Sequence, residues 1–104
     1  MASELIVNDE LLASDARIQV TGEVDIYTAQ KFKEELYRAV EAVSKDLAID
    51  CGELNYIDST GLGIFVGALK KARLAGKDIH LLNMRENIMK LFVITGLDKL
   101  FVIE

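Results

Sequence analysis

Apolar positions along the chain follow two rhythms. "ELIVN" and "ARIQVTGEVD" alternate or run apolar, and both read as strands paired near the N-terminus. From Ala29 the spacing changes: Ala29, Phe32, Leu36, Ala39, Val40 and Val43 recur at three and four, the stripe of an amphipathic helix, with Thr28 as its candidate N-cap. "DLAID", Asp46 to Asp50, is a short apolar strand, and "CGELNY" after it reads as a loop. A second helix is expected from about Thr60 to Ala75. It ends at Gly76, suited to the left-handed residue past a helix, and Lys70, Lys71 and Arg73 lie in its second half, where cations favour the helix dipole. "DIHLLN" is a further strand, "RENIMKLFVITG" a shorter helix with Ile88, Leu91 and Phe92 on one face, and "KLFVIE" a last strand.

The resulting order, β-β-α-β-α-β-α-β, predicts an α/β fold with a mixed, mostly parallel sheet, an antiparallel N-terminal edge and about three helices. Residues 1–104 are expected to form a single domain. In such sheets function gathers beyond the carboxyl ends of strands. Two stretches lie there: Gly22-Glu23-Val24-Asp25 before the first helix, and Asp58-Ser59-Thr60 before the second.

Composition narrows the choices. Apolar residues make up 51% of the 104 and charged residues 28%, as in soluble globular proteins. The net charge of −5 argues against a nucleic-acid partner. The charge is uneven: residues 1–60 hold 13 acids and 5 bases, residues 61–104 hold 4 acids and 7 bases. "MASELIVNDE" has neither the basic flank nor the apolar run of a signal peptide, and the longest apolar stretch, Gly61 to Leu69, is about half of what a membrane span needs. Cys51 is the only cysteine, so no internal disulfide forms. A cytoplasmic protein without membrane insertion is expected.

Enzymatic motifs fail on inspection. In Gly61-x-Gly63-x-x-x-Gly67 the third glycine falls one residue late for a dinucleotide fingerprint, and Val66 holds its place; no phosphate-cradling GxxxxGK[ST] loop exists. Ser59 lacks a G-x-S-x-G setting, and the only histidine, His80, sits in an expected strand, so a serine hydrolase has no base. His80 with Cys51 does not make a metal site. Asp58 as a receiver-type phospho-acceptor would want an acidic metal-binding cluster after the first strand and a lysine after a late one, and the acids near the first strand, Asp9 and Glu10, do not form a clear strand-end cluster. Lys70, Arg73 and Lys77 read as a solvated face, and Met84 and Met89 as core filler. No catalytic residue, cofactor or metal is expected.

What stands out is a helix that starts on glycines, each costing about 1 kcal/mol against alanine. A helix N-terminus exposes unpaired N–H groups and favours anions, phosphate among them. Asp58 or Ser59 supplies the capping oxygen, and a serine in the first turn points its hydroxyl outward. Glycines there either open the approach to that hydroxyl or let the helix lie tightly on a neighbour; the residues alone leave both open.

"GEVDIYTAQKFKEEL", followed some thirty residues later by "YIDSTGLGIFVGALKKARLAGKDIHLLN" and then "ITGLDKLF", resembles the anti-sigma factor antagonists of the STAS (sulphate transporter and anti-sigma factor antagonist) domain family, over about Gly22 to Leu100. The resemblance implies a non-enzymatic regulator that binds an anti-sigma factor, so that the sigma factor is released. It implies that this anti-sigma factor is also a serine kinase that phosphorylates Ser59, the serine of D-S-[ST]-G-L-G, ending the interaction, and that a metal-dependent serine phosphatase resets it. Thr60 is disfavoured as the target because it lies further into the helix and is β-branched. Asp25 matches the aspartate of G-E-[IVL]-D. The implied partner surface comprises Glu23, Asp25, Tyr27, Asp58, Ser59, Thr60, Gly61, Gly63 and Gly67. Many relatives carry a further helix after the last strand, whereas this chain stops at Glu104, leaving open what covers one sheet face. Two alternatives are a STAS scaffold subunit of a transport or stress-sensing assembly that is never phosphorylated, and a small-molecule or nucleotide sensor at the glycine-rich helix start.

Overall fold

The computed structural model describes residues 3–104. Strands β1 (Leu5–Asn8) and β2 (Arg17–Val24) pair antiparallel, with Leu5 opposite Gly22. The expected N-terminal hairpin is therefore present. A one-turn helix, α1 (Leu12–Asp15), lies within its connection and adds a fourth helix to the three expected. Four residues are too few to show a helical period, and the turn closes on Ala16 in the left-handed region (φ 51°).

Helix α2 (Ala29–Ala42) buries Phe32, Leu36, Ala39 and Val40, the predicted stripe. Strand β3 runs Leu47–Ile57, helix α3 Ser59–Leu74, strand β4 Ile79–Leu82, helix α4 Glu86–Ile94 and strand β5 Val102–Ile103. Gly76 takes φ +74° just past α3, as expected. The last strand is shorter than "KLFVIE": Leu97–Lys99 form a 3-10 turn, and Phe101 is buried ahead of β5.

Strand β3 differs most from expectation. "CGELNY" is not a loop but the second half of an eleven-residue strand. Gly52 and Asn55 are poor strand formers, yet Leu54 and Ile57 are buried and the ladder to β2 continues through Val24 opposite Ile57. The strand keeps register by bulging. From Gln19–Asp50 to Thr21–Glu53, and again from Gly22–Leu54 to Glu23–Tyr56, β3 advances one residue more than β2. Pairing with β4 ends at Asp50 opposite Leu82, so β3 projects past its other neighbour.

The sheet order is β1-β2-β3-β4-β5, with every pair after the first parallel. All parallel crossovers step in one direction, and with the right-handed connection that such units take, α2, α3 and α4 fall on the same face, where Phe65 of α3 meets Phe32 of α2 and Phe92 of α4. One core results. Phe65 of α3 is its hub, with ring centroids 5.2 Å from Phe32, 5.6 Å from Phe92 and 6.2 Å from Phe101. The other face answers the question of cover through its own composition: Gln19, Thr21, Asp50 and His80 are half-buried and alternate with the buried Ile18, Val20, Ile49 and Leu81. The strand order never reverses, so the sheet lacks the switch-point crevice in which α/β folds hold nucleotides.

Two residues of the expected solvated face have specific partners. Lys77 Nζ donates to the Val40 and Val43 carbonyls at 2.9 and 2.7 Å, satisfying the end of α2. Arg73 reaches Asp78 at 3.2 Å and the Leu100 carbonyl at 2.5 Å. These carbonyls come from elements remote in sequence, which helix periodicity does not reveal.

Candidate functional site

The site begins where β2 and β3 end side by side. Val24 lies opposite Ile57, and the Asp58 N–H donates to the Val24 carbonyl at 3.2 Å. Each strand is followed by an aspartate, Asp25 and Asp58, and each aspartate organises the helix start that follows. Asp58 is the N-cap of α3: its backbone is extended, and its Oδ1 accepts from the Gly61 N–H at 3.0 Å. This settles the choice between Asp58 and Ser59. Ser59 is then the first helical residue, and it and Thr60 are exposed.

Thr28 precedes α2 as expected, but its side chain does not cap that helix. The capping carboxylate is that of Asp25, whose Oδ1 accepts from the Tyr27 and Thr28 N–H groups at 2.9 and 3.2 Å. Thr28 Oγ1 accepts from the Asp25 N–H at 3.0 Å and donates to the Glu23 carbonyl at 2.8 Å. The pattern is a reciprocal capping box, with the cap three residues earlier than the apolar stripe suggests. The spacing Asp-x-x-Thr was its signal in the sequence. The Ser3 hydroxyl also donates to Asp25. Together the Ser3 hydroxyl and the amides of Tyr27 and Thr28 hold the Asp25 carboxyl below its ordinary range.

Around these aspartates the surface is unusually apolar. Tyr27 is 80% exposed and Ile26 68% exposed, both at the tip of the turn that follows β2. Tyr56 of β3 is also exposed, opposite the exposed Glu23. Ile26 and Tyr56 were not among the expected partner residues.

The three glycines divide between the two readings of the helix start. Gly61 is buried, and a Cβ on it would sit 2.5 Å from Ile57 Cγ1 and 2.7 Å from Val24 Cγ1, so α3 lies directly on the two strand ends. A Cβ on Gly67 would meet the Tyr37 hydroxyl at 2.0 Å, so this glycine lets α2 and α3 approach. Gly63 has nothing within 4 Å of a Cβ and is exposed. Packing therefore accounts for Gly61 and Gly67. Gly63 remains as an open surface position one turn from Ser59.

The other chemically notable side chains lie elsewhere. His80 sits on the open sheet face, opposite Ala48 near the start of β3, with its ring nitrogens 2.5 Å from Glu104 and 2.9 Å from Asp46; Ser59 follows the far end of that strand. Cys51 is fully buried, and burial pushes its thiol up to about 12, so it is not a nucleophile. Among the described residues, no group of three or more His, Cys, Asp or Glu is arranged to hold a metal, and no helix is long and apolar enough to cross a membrane. What the arrangement offers is an exposed hydroxyl beside two committed carboxylates, rimmed by exposed apolar side chains.

The chain is 44% identical over 89 residues to the anti-sigma-B factor antagonist of Listeria monocytogenes, covering 84% of this chain and 76% of that protein. It is 39% identical over 84 residues to the anti-sigma-B factor antagonist of Bacillus subtilis, covering 81% and 76%. The Bacillus anti-sigma factor antagonist SpoIIAA has the same fold at 20% identity. Its unphosphorylated form matches with a TM-score of 0.72 over 99% of this chain and 88% of that one, its phosphorylated form with 0.66 over 99% and 91%. The model of the STAS domain matches residues 10–104, and the chain belongs to that family.

Proposed function

We propose that this protein is an anti-sigma factor antagonist controlled by phosphorylation of Ser59. The unmodified form docks on an anti-sigma factor with serine kinase activity and frees the sigma factor. The kinase modifies Ser59, docking ends, and a metal-dependent phosphatase restores the hydroxyl. The protein acts as a binding regulator in the cytoplasm, without nucleic acid or membrane.

The observation that carries this reading is the position of Ser59. It is exposed in the first turn of α3, directly after a carboxylate that has already taken the Gly61 amide. A phosphoryl group there adds about −1.5 to −2 charge. The helix dipole tolerates it within the free protein. Asp58 adjoins it, and Asp25, across the strand pair, spends its oxygens on the Tyr27 and Thr28 amides and the Ser3 hydroxyl. A partner pressed against this rim would bury a dianion for which these residues supply no cation. Moving a complex from almost all bound to almost all free takes about 5.5 kcal/mol of differential affinity. An unpaired buried charge costs several kcal/mol, which is that order. The switch is thus exclusion from an interface, with little refolding. Glu23, Tyr27, Thr60 and Gly63 form the docking rim with Ser59, while Gly61 and Gly67 set the position of α3 from beneath.

The test is reconstitution with the serine-kinase anti-sigma factor of the same organism and ATP. Ser59→Ala abolishes labelling and retains binding; Ser59→Asp weakens binding. Tight binding by fully phosphorylated protein would contradict the switch. A bare Ser59 in protein taken from its own cells, together with transport components as stable partners, would favour the scaffold alternative.

A further inference from the structure

Ile26 and Tyr27 are the most exposed apolar residues next to the Ser59 rim, yet the turn that carries them is the most heavily bonded part of it. Four residues, Asp25 to Thr28, separate the end of β2 from α2, and such a turn with two bare apolar side chains at its tip gains nothing from the core. Thr28 as a residue is 7% exposed and is the buried polar residue among those described. It uses both its donor and its acceptor, on the Glu23 carbonyl and the Asp25 amide, while Asp25 returns bonds to the Tyr27 and Thr28 amides. The two elements that flank the turn are tied to the N-terminal edge: the N–H of Glu23 in β2 donates to the Glu4 carbonyl at 2.9 Å, and Lys31 Nζ, from the first turn of α2, donates to the Leu5 carbonyl at 2.7 Å.

We propose that Thr28 and Asp25 are positioning residues that hold the 25–28 turn in one shape, so that Ile26 and Tyr27 meet the anti-sigma factor as a preformed anchor. The proposal rests on the docking reading above and assigns a different task to Asp25 within it: its oxygens bond its own turn, and the partner touches what that turn displays. The physical ground is the cost of ordering. Fixing a loop residue costs backbone entropy, and each interface side chain immobilised on docking adds to that cost. A turn already fixed in the free protein does not incur the backbone part on docking. Large aromatic and aliphatic side chains held rigid are what interface hot spots are made of.

The test has two arms. In the free protein, Thr28→Val keeps the shape of the side chain and removes the hydroxyl, while Thr28→Ser keeps the hydroxyl. Amide exchange at Tyr27 and Thr28 should accelerate about tenfold or more in Thr28→Val and stay near wild type in Thr28→Ser, with the Phe32 amide unchanged. Unchanged exchange at Tyr27 and Thr28 in Thr28→Val overturns the lock. In the second arm, binding to the serine-kinase anti-sigma factor of the same organism is measured in a double-mutant cycle with Tyr27→Ala. Thr28→Val should weaken binding about tenfold, Thr28→Ser should rescue it, and Tyr27→Ala should cost clearly less in the Thr28→Val background than alone. Additive losses mean that Thr28 does not act through Tyr27 and overturn the positioning role while leaving the docking reading standing. A Tyr27→Ala protein that binds as wild type overturns the docking of this turn itself. Should Thr28→Val fail to fold, Asp25→Ala opens the same lock from its exposed side and carries both arms.

Discussion

The Asp58 amide donates to the Val24 carbonyl at 3.2 Å, the last backbone bond between β2 and β3 before both chains turn into helices. That bond sets two aspartate-capped helix starts beside each other. It exists because the two bulges in β3 let its ten residues from Ala48 to Ile57 finish level with the eight of β2. The cap on α3 has a measurable worth. Asp58→Ala leaves the Gly61 amide without its acceptor and should destabilise the protein by about 1 kcal/mol, while Asp58→Asn should retain most of the stability because the amide oxygen still accepts. Urea unfolding curves of the two variants make the comparison.

The glycines of α3 should respond with opposite signs. Gly61→Ala drives a methyl into the Ile57 and Val24 side chains and should cost about 1–3 kcal/mol. Gly63→Ala meets open space and should stabilise the free protein by about 0.5–1 kcal/mol through helix propensity. If Gly63 is kept for the approach of a partner, the same substitution should weaken binding to the anti-sigma factor even as melting temperature rises. Thermal melts and titrations on one sample read both.

His80 should give stability an alkaline limb. Glu104 and Asp46 face its two ring nitrogens, and their hydrogen bonds raise its pKa above the ordinary 6.5. A group raised in the folded state contributes stability that is fully present below its unfolded value and lost as pH climbs through the folded one. Asp46 moves the other way: the Asp78 amide and His80 lower its pKa, so its contribution is present above the ordinary carboxylate value and lost as pH falls through the folded one. Urea unfolding from pH 4 to 10 should show the decline above about pH 6.5 in wild type and a flatter profile there in His80→Asn.

Cys51 should be inert. With its side chain sealed and its thiol pushed up to about 12, alkylation by iodoacetamide at pH 8 should proceed only as fast as the protein unfolds, and immediately in denaturant. Rapid alkylation of the native protein would show the centre of β3 to be open.

Much of this molecule was legible from residue order. The α2 stripe from Phe32 to Val40, the stop at Gly76, the antiparallel start and the exposed serine behind Asp58 all follow from local patterns that need no partner to act. The one-turn α1 was too short to carry a period, and "CGELNY" pointed the wrong way because its glycine and asparagine disfavour strand until a neighbouring strand supplies a ladder.

The sequence by itself determined most of the elements, their order and a serine directly behind Asp58 at the start of α3. Tertiary structure decided what surrounds it. It put Asp25 beside Asp58, made Gly61 and Gly67 packing residues and Gly63 a surface one, and turned Thr28 inward so that Tyr27 faces out. The reason is physical: capping, helix period and propensity act within a few residues, whereas bulged strand register and close helix approach depend on atoms that meet only after the chain has closed on itself.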